Sequence, residues 1–373
     1  MHAGWRSRSP CRGSPLKSLI RAEVSAAALR GNLARIREVA PRSRVMAVVK
    51  ANAYGHGLIP TALCLADADA FAVARLEEAL ALRGAGVRKP IVLLEGVFSA
   101  EQLAEAARQN LEIVVHEREQ LALLERTPNG HRFVVWLKID TGMNRLGFRA
   151  TQVDSALAAL AAMGERLHEL RLLTHFASSD ERDSALTPQQ LERFAALTRG
   201  RSCARSLANS AAIFAWPQSQ ADWVRPGLAL YGVSPFADQV GSELGLRPAM
   251  RLVSTVIAVR EVPAGETVGY GGIWRAARDS RIAIVAAGYG DGLPRALANG
   301  TPVLVHGQRA TLAGRVSMDM IAIDVTGIDR VSVGDSALLW GPELPVEEIA
   351  AHAGTLSYEL LCAVSQRVPL TVT

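Results

Sequence analysis

The sequence predicts an α/β protein in which an N-terminal (β/α)8 TIM barrel is followed by a second, mostly β domain. Between about residues 20 and 235, short apolar runs alternate with segments of helical apolar spacing. After about residue 243 the runs become rich in Val and Ile and are separated by Gly, Pro, Asn or Asp. A chain of 373 residues has room for both units. We therefore expect a disordered extension at 1–19, the barrel at 20–243 and the β domain at 244–373, with a doubly wound open sheet as the alternative to the barrel.

Eight apolar runs in the first unit are candidate strands, and the stretches between them, such as RLEEALALRGAG, have helical spacing. The runs are VMAVV (45–49), AFAVA (70–74), PIVLLEG (90–96), LEIVVH (111–116), RFVVWLKID (132–140), LRLLTHF (170–176), SLANS (206–210) and VRPGLALYG (224–232). Eight strands that alternate with helices are typical of a closed parallel barrel. The strand candidates of the second unit include RLVSTVIAVREV, SRIAIVAAGYG, TPVLVHG, MIAIDVTG and SALLWG.

The charge balance argues against a nucleic-acid partner. The net charge is +5 and the isoelectric point is near 9.3, a balance that could indicate binding to nucleic acid. The excess lies in residues 1–21, which contain five basic residues and no acidic one. The remainder of the chain carries equal numbers of basic and acidic residues, so we expect the folded body to be formally neutral.

The sequence predicts no membrane partner, no metal and a cytoplasmic location. No run of about 18 uncharged apolar residues is present, which argues against a membrane-spanning helix. The four cysteines lie far apart and form no CxxC pair, which argues against a zinc site or a disulfide framework and favours a reducing compartment. The N-terminal segment also lacks the apolar stretch of a secretory signal.

Polar residues follow the apolar runs at the positions where barrel strands end and loops begin. They are Lys50, His116, Lys138 with Asp140, His175, Asn209 with Ser210, and Arg225. Active sites of barrels lie at the carboxyl ends of the strands. The sequence therefore predicts that these side chains share one site.

Lys50 ends an apolar run within AVVKANAYGHG, and two interpretations compete. A strand-end lysine usually packs its stem while the ammonium reaches water. The alternative is an amine held in a partly dry pocket, where its pKa falls and it can form a Schiff base. Gly55 and Gly57 leave room for a ligand near the backbone, and Tyr54 offers a hydroxyl to an anion, which favours the second interpretation.

The stretch AVVKANAYGHG resembles the pyridoxal 5'-phosphate (PLP) attachment motif of the alanine racemase family, with Lys50 as the attachment point. The resemblance continues in the same order through LKIDTGMNRLGF (137–148), THFASSDE (174–181), ANSAA (208–212), VRPGLALYG (224–232), VGYGG (268–272), GYGDGLPR (288–295), GRVSMDM (314–320) and SYEL (357–360). It covers about residues 20–373. It implies a barrel with a β domain, PLP as the cofactor, alanine as the substrate and a homodimer with composite active sites.

Racemisation needs a proton to be removed from one face of the α-carbon and returned to the other. Two bases on opposite faces avoid moving one base across the cofactor. By the resemblance, Lys50 serves the D-alanine α-proton after the substrate has displaced it from the PLP imine. Tyr270, which lies between Gly269 and Gly271, serves the L-alanine α-proton and reaches the site of the neighbouring subunit.

Arg225 and His175 are the other expected catalytic-site residues. Arginine stays protonated at neutral pH and only donates hydrogen bonds. The resemblance implies that Arg225 faces the pyridine nitrogen of PLP, which keeps that nitrogen unprotonated, weakens the electron sink and suppresses side reactions such as transamination. It also implies that His175 lies in a hydrogen-bond chain between Arg225 and the catalytic tyrosine.

The resemblance also assigns residues that bind the cofactor and the substrate. The expected cofactor contacts are Lys50, Tyr54, Asn209, Ser210, Arg225, the amides of Gly227 and Leu228, and Tyr358. Hydroxyl and backbone donors suffice for a phosphate, so no P-loop is expected. The expected substrate contacts are Arg145, the Met318 amide and Asp319 at the pocket mouth. Lys138 matches a lysine that is carbamylated in many relatives, which would turn a cation into an anion able to orient Arg145.

The sequence thus predicts an alanine racemase that supplies D-alanine for peptidoglycan or recycles it. One alternative is a broad-specificity amino-acid racemase of the same fold. A second is a barrel-type PLP decarboxylase, whose glycine-rich phosphate loop and Cys-Glu substrate motif are not visible here. A third is the small, non-enzymatic PLP-binding barrel protein, which the second domain and Tyr270 argue against.

Overall fold

The computed structural model of the protein describes residues 18–126 and 131–373. The expected disordered extension at 1–19 lies almost entirely outside the described residues. Leu19, at its end, is tied to the second domain, because its carbonyl accepts a hydrogen bond from the Thr255 hydroxyl at 2.9 Å.

Eight parallel strands close into a barrel, which confirms the predicted fold class. Strand β1 (Arg21–Val24) and helix α1 (Ala26–Val39) precede it. The barrel strands are β2 (Arg44–Val48), β3 (Ala70–Val73), β4 (Ile91–Leu93), β5 (Glu112–Val115), β6 (Phe133–Lys138), β7 (Leu167–Leu173), β8 (Ala204–Ser206) and β9 (Trp223–Val224). The helical segments among them are α2 (Lys50–Tyr54), α3 (Leu58–Cys64), α4 (Leu76–Gly84), α5 (Ala100–Arg108), α6 (Arg118–Leu124), α7 (Ala150–Ala162), α8 (Leu186–Leu197) and α9 (Ser210–Ala215). The barrel closes where β9 pairs with β2.

Two of the predicted strands are shorter than expected. SLANS contributes only its first residue to β8, because Asn209 caps the helix that follows and its Oδ1 accepts a hydrogen bond from the Ala212 amide at 3.0 Å. VRPGLALYG contributes only its first residue to β9. Pro226 has no N–H to continue the strand ladder, and Leu228–Tyr231 form a 3-10 helix.

The amino-terminal end of the barrel is filled by a buried ion pair. Trp136 of β6 and Trp223 of β9 meet edge to face at 5.9 Å although their strands are not neighbours, so both point into the interior. Arg171 Nη1 lies 3.0 Å from Glu112 Oε2, and Trp136 Nε1 donates to the same oxygen at 2.7 Å. The hydrogen bonds from two donors offset the cost of burying the carboxylate.

The second domain is mostly β, as predicted. Its strands are β10 (Met250–Val262), β11 (Thr267–Val268), β12 (Trp274–Arg275), β13 (Ser280–Val285), β14 (Pro302–Val305), β15 (Gln308–Leu312), β16 (Ile321–Asp324), β17 (Ser336–Trp340) and β18 (Leu370–Val372). Two helices, α10 (Val346–Ala353) and α11 (Ser357–Ala363), precede the last strand. The main sheet has the order β13-β16-β15-β14-β17-β10-β1-β18, and the long strand β10 also pairs with β13.

Strand β1 differs from the sequence expectation, which places residues 20–24 in the barrel unit. It pairs antiparallel with β10 and parallel with β18, so the chain begins in the second sheet before it enters the barrel. The boundary at residues 243 and 244 stays a prediction. Within the described ranges, no helix combines the length and apolarity that crossing a membrane would need, and no cluster of side chains suits a metal ion.

Candidate active site

A cavity of about 620 Å³ lies at the carboxyl ends of the barrel strands, where the sequence predicts the site. The predicted residues that line it are Lys50, Tyr54, Lys138, Arg145, His175, Asn209, Ser210, Arg225, Gly227, Leu228 and Tyr358. Two other polar residues at strand ends, His116 and Asp140, are not part of its lining. The barrel thus brings together most of the candidate site from separate stretches at 50–54, 138–145, 175, 209–210 and 225–228, and helix α11 adds Tyr358 from the second domain.

Lys50 follows strand β2 and starts a left-handed turn. Residues 51–54 all have positive φ angles, between 51° and 54°. This conformation costs an L-residue roughly 1–2 kcal/mol, so surrounding contacts must hold it. One such contact is made by Glu78, whose Oε1 accepts a hydrogen bond from the Ala51 amide at 2.6 Å. The turn places Lys50 and Tyr54 at the cavity.

Two glycines allow close approaches that a side chain would prevent. Gly55 ends the left-handed turn with φ of 80°, and a Cβ there would lie 2.0 Å from the Leu361 carbonyl oxygen of α11. A Cβ on Gly227 would lie 2.6 Å from the Tyr54 hydroxyl oxygen. The first glycine seats the lysine turn against the second domain, and the second keeps space around the Tyr54 hydroxyl.

Ser210 organises a set of donors at one end of the cavity. Its hydroxyl accepts hydrogen bonds from the amides of Gly227 at 2.9 Å and Ala229 at 3.2 Å. Within the described parts of the chain, the Leu228 amide and the Tyr54 and Tyr358 hydroxyls have no hydrogen-bond partner. Burial raises the pKa of Tyr54 and raises the pKa of Tyr358 to about 12, so both hydroxyls stay protonated. These donors suit a phosphate group.

Asn209 has a structural task beside its place in the lining. Its Oδ1 accepts hydrogen bonds from the Ala212 amide and, at 2.9 Å, from the Ser179 hydroxyl. The oxygen therefore caps helix α9 and fixes Ser210, the first residue of that helix. Its predicted cofactor contact would have to be made by the remaining amide nitrogen.

Arg225 is a buried cation whose hydrogen-bond partners are all neutral acceptors. Nη1 donates to the Ser206 hydroxyl at 2.7 Å, and Nη2 donates to the carbonyls of Thr174 at 2.7 Å and Leu207 at 3.2 Å. Burial lowers the pKa of Arg225 to about 10, which leaves it protonated at neutral pH. Its Nε has no acceptor among the described residues, so a donor remains for a ligand in the cavity.

His175 lies against Arg225 and is neutral at neutral pH. Its Nδ1 is 3.4 Å from Arg225 Nη2. Burial, and next the charge of Arg225, hold the pKa of His175 well below its usual value. Because arginine only donates, Nδ1 is the acceptor and Nε2 carries the hydrogen. Nε2 can therefore donate to a further group, as the predicted chain from Arg225 to the tyrosine requires.

The cavity is strongly positive. Burial, and next the charges of Arg225, Arg145 and Lys50, lower the pKa of Lys138 to about 8. No carboxylate forms an ion pair with Lys138 or Arg145 within residues 18–126 and 131–373. A site with four cationic side chains suits a ligand with more than one anionic group.

Three predicted residues lie on the surface of the second domain and not in this cavity. The Tyr270 side chain is 69% exposed and Met318 is 53% exposed. Asp319 Oδ1 accepts from Arg367 Nη2 at 2.7 Å. The Met318 carbonyl is bonded to the Gly290 amide, whereas the Met318 amide has no partner among the described residues. One chain alone therefore does not complete the predicted site.

Two family models match the chain. One, described as the alanine racemase N-terminal domain, matches residues 24–235, and the other, described as the alanine racemase C-terminal domain, matches residues 249–372. The chain belongs to the alanine racemase family. This result confirms the resemblance inferred from the motifs, together with the fold that it implies.

Individual members of the alanine racemase family are similar over nearly the whole chain. The alanine racemase of Shewanella woodyi is 51% identical over 354 residues, which cover 95% of this chain and 99% of that protein. The crystal structure of the biosynthetic alanine racemase from Pseudomonas aeruginosa superposes with a TM-score of 0.93 at 46% identity. That comparison covers 96% of this chain and 100% of the other.

The alanine racemase family uses PLP, and the residues of this cavity fit that group. The crystal structure of alanine racemase from Bartonella henselae with covalently bound pyridoxal phosphate superposes with a TM-score of 0.86 at 28% identity, over 96% of this chain and 100% of that one. In this chain, the unpaired donors near Ser210 suit the phosphate, and the free Nε of Arg225 suits a ring acceptor. Lys50 lines the same cavity, and its primary amine is a group that could react with the aldehyde of PLP.

Sequence reasoning missed Glu95 and Cys362, which also line the cavity of this alanine racemase family member. Glu95 is the second-last residue of the predicted strand run PIVLLEG, so its place near a strand end could have marked it. Cys362 belongs to α11 in the second domain, and nothing in its local sequence connects it with the barrel. Its proximity to Lys50 depends on how the two domains pack.

Proposed function

We propose that the protein interconverts L-alanine and D-alanine with PLP as cofactor and so supplies D-alanine for peptidoglycan. The observation that carries the proposal is the meeting of Lys50 and Arg225 in one cavity with a set of unpaired phosphate donors. We place the activity in the cytoplasm. The described cysteines, Cys64, Cys203 and Cys362, are free thiols, which is usual in a reducing compartment.

Lys50 attaches the cofactor in this proposal, and the donors around Ser210 bind its phosphate. Tyr54, Tyr358 and Leu228 all line this cavity, the Tyr54 hydroxyl lies beside Gly227, and the rings of Tyr54 and Tyr358 are 5.8 Å apart. When bound, PLP takes up the electron pair that stays on the α-carbon after its proton is removed.

Arg225 sets how strongly that electron pair is withdrawn. Its guanidinium is protonated and can only donate, so an Arg225 Nε placed against the ring nitrogen of bound PLP would leave that nitrogen without a proton. A carboxylic acid in the same place would favour a protonated, more strongly withdrawing ring. The arginine therefore favours proton return to the α-carbon over transfer of electrons further into the ring.

Two bases on opposite faces move the proton. Lys50 Nζ takes or returns the proton of D-alanine, and the Tyr270 hydroxyl serves L-alanine. Because Tyr270 is exposed and lies outside the cavity of its own chain, we propose that it enters the site of a second copy. The His175 Nε2–H would then hold the tyrosine oxygen and connect it to Arg225.

A homodimer follows from this assignment. Besides Tyr270, the second domain exposes the apolar side chains of Ile273, Tyr289, Met318 and Met320. The turn that carries Tyr270 lies beside Arg315, and the Tyr289 amide donates to the Ser317 carbonyl, which brings these segments together. Exposed apolar clusters of this kind mark interaction surfaces. A second copy would cover them and bring the free Met318 amide, with Asp319 at the mouth, towards the substrate carboxylate.

Arg145 is the proposed partner of the substrate carboxylate, and Lys138 is proposed to orient it after carbamylation. Only the neutral amine attacks carbon dioxide, and a pKa of about 8 leaves a useful fraction of Lys138 neutral near pH 7. The new N–C bond creates a carbamate anion and releases a proton. One of four clustered cations thereby becomes an acceptor for Arg145.

The direct test is a chiral assay of the purified protein with PLP and L-alanine. We expect D-alanine to form until the two enantiomers are equal. No D-alanine from protein with bound PLP would contradict the proposal. Turnover of lysine, arginine or serine in its place would favour the broad-specificity racemase, and release of carbon dioxide would favour the decarboxylase.

A further inference from the structure

His56 fastens the left-handed turn that carries Lys50. It is fully buried, and its Nδ1 lies 2.9 Å from the Tyr54 carbonyl and 3.1 Å from the Ala53 carbonyl. Carbonyls only accept, so Nδ1 must carry the hydrogen. The imidazole therefore donates to two carbonyls of a segment whose backbone conformation is intrinsically unfavourable.

The same tautomer leaves Nε2 of His56 as an acceptor without a donor. Within the described residues, this buried atom has no hydrogen-bond partner. Nε1 of Trp340, at the end of β17, is also buried and unpaired. Leaving such groups unpaired in the interior is unfavourable, and a satisfied core would not leave two of them at one small cavity.

A small internal cavity connects these two side chains. It is bordered by His56 and Tyr231 from the barrel and by Trp340 from the second domain, and its other walls are largely apolar. The Tyr231 hydroxyl already donates to the Val48 carbonyl at 2.9 Å. Trp340 is therefore the lining residue with an unused side-chain donor in the described structure.

The size of the cavity suits one water molecule. Its volume is about 10 Å³, close to the space that the centre of a single water occupies. A water can accept from the indole N–H and donate to the imidazole nitrogen, which satisfies both groups. A larger ligand would not fit.

We propose that this cavity is a single-water site that links Trp340 to His56, and that His56 is a positioning residue for the turn that presents Lys50 and Tyr54. The barrel and the β domain are joined through this site directly behind the cofactor cavity. The positioning role rests on the proposed attachment of PLP to Lys50. The proposed water site does not depend on that attachment.

Three substitutions separate the two functions of the imidazole. Asparagine places an amide N–H near the position of Nδ1, so His56→Asn keeps the donor to the turn and loses the acceptor for the water. Glutamine reaches the position of Nε2, so His56→Gln keeps a polar group at the water and loses the donor to the turn. Trp340→Phe removes the indole donor and keeps an aromatic ring in the core.

The first measurement is a high-resolution crystal structure of the PLP-bound protein. We expect one water peak within hydrogen-bond distance of both His56 Nε2 and Trp340 Nε1. An empty site would overturn the water proposal, as would a peak only in the second small cavity beside Trp340, near Leu297 and Ile349.

The second measurement compares PLP dissociation constants and melting temperatures. We expect His56→Gln to raise the PLP dissociation constant about tenfold, with His56→Asn and Trp340→Phe within about threefold of wild type. The latter two should each lower the melting temperature by about 2–4 °C. The double variant that combines His56→Asn with Trp340→Phe should lose little more stability than the more damaging single change, because both changes remove the same water.

Specific outcomes contradict each part. If the His56→Gln protein were destabilised but bound PLP as tightly as wild type, His56 would be a packing residue and not a positioning residue. Fully additive losses in the double variant would mean that the two side chains share no water. Wild-type protein that binds no PLP would contradict the proposed function, while the water peak and the melting temperatures would still decide the water site.

Discussion

Gly227→Ala tests the cofactor cavity through a single methyl group. The φ of Gly227 is −117°, outside the left-handed region that favours glycine, so the contacts of the added Cβ are the effect to consider. The new Cβ would lie 2.6 Å from the Tyr54 hydroxyl oxygen and 3.1 Å from the ring carbon that carries it. The Tyr54 ring is stacked on Tyr231 at 4.9 Å, and the Gly227 amide is bonded to Ser210. Neither side can move without losing these contacts.

The expected effect is a weaker hold on PLP. Overpacking of this kind costs about 1–3 kcal/mol, and a displaced Tyr54 hydroxyl would also lose its bond to the phosphate. Together these effects should raise the PLP dissociation constant about 100-fold. Titration of the cofactor-free protein with PLP, followed by absorbance, measures this constant.

Gly327→Ala is the matched control, because a Cβ there meets nothing within 4 Å. It should bind PLP as wild type does. If Gly227→Ala bound PLP within about threefold of wild type and melted normally, the close approach of Tyr54 to Gly227 would not exist in the working enzyme, and the assignment of Tyr54 to the phosphate would be wrong.

Three further predictions follow from the structure. Lys50→Ala should abolish the visible absorption band of lysine-bound PLP and nearly all racemisation; a variant with near-normal turnover would exclude Lys50 as the base. Glu112→Gln should lower the free energy of unfolding by about 3 kcal/mol, because it leaves the buried Arg171 with one charged partner fewer. Urea denaturation measures this change. The kcat of racemisation should not change, since this ion pair lies at the opposite end of the barrel from the cavity. Stability should fall as the pH drops from about 6.5 towards 4, because burial lowers the pKa of His56 from 6.5 to about 4 and only the unfolded state takes up the proton in that range. His56→Asn should show a weaker pH dependence, and an unchanged one would mean that other groups cause it.

The barrel could be predicted because its signals are local. VMAVV and AFAVA are continuous apolar runs, as strands need when both faces are covered, and they become β2 and β3. Lys50, Lys138 and Arg225 follow or end such runs, so closure of the barrel places all three at the same cavity. No comparable signal places β1, because its partners β10 and β18 are more than 200 residues away in the chain.

The left-handed turn could not be predicted from the residues that form it. Residues 51–54 include no glycine, and local preferences therefore argue against positive φ there. Tertiary contacts decide the conformation, among them the bonds from His56 and the seating of Gly55 against Leu361. The approach of Cys362 to Lys50 has the same origin in domain packing.

The composite site is the central claim, and subunit mixing tests it most directly. Lys50→Ala and Tyr270→Phe proteins should each be nearly inactive in racemisation alone. If Tyr270 works in the site of the second copy, a hybrid dimer contains one site with both Lys50 and Tyr270 and one with neither.

Equimolar mixing under conditions that allow subunit exchange should give about one quarter of the wild-type activity, since about half of the dimers are hybrids with one intact site each. The measurement is the rate of D-alanine formation before and after exchange, with exchange verified by differently tagged chains. Recovery to about one quarter of wild type is the result that the account predicts. Verified hybrids with no more activity than the separate variants would contradict it.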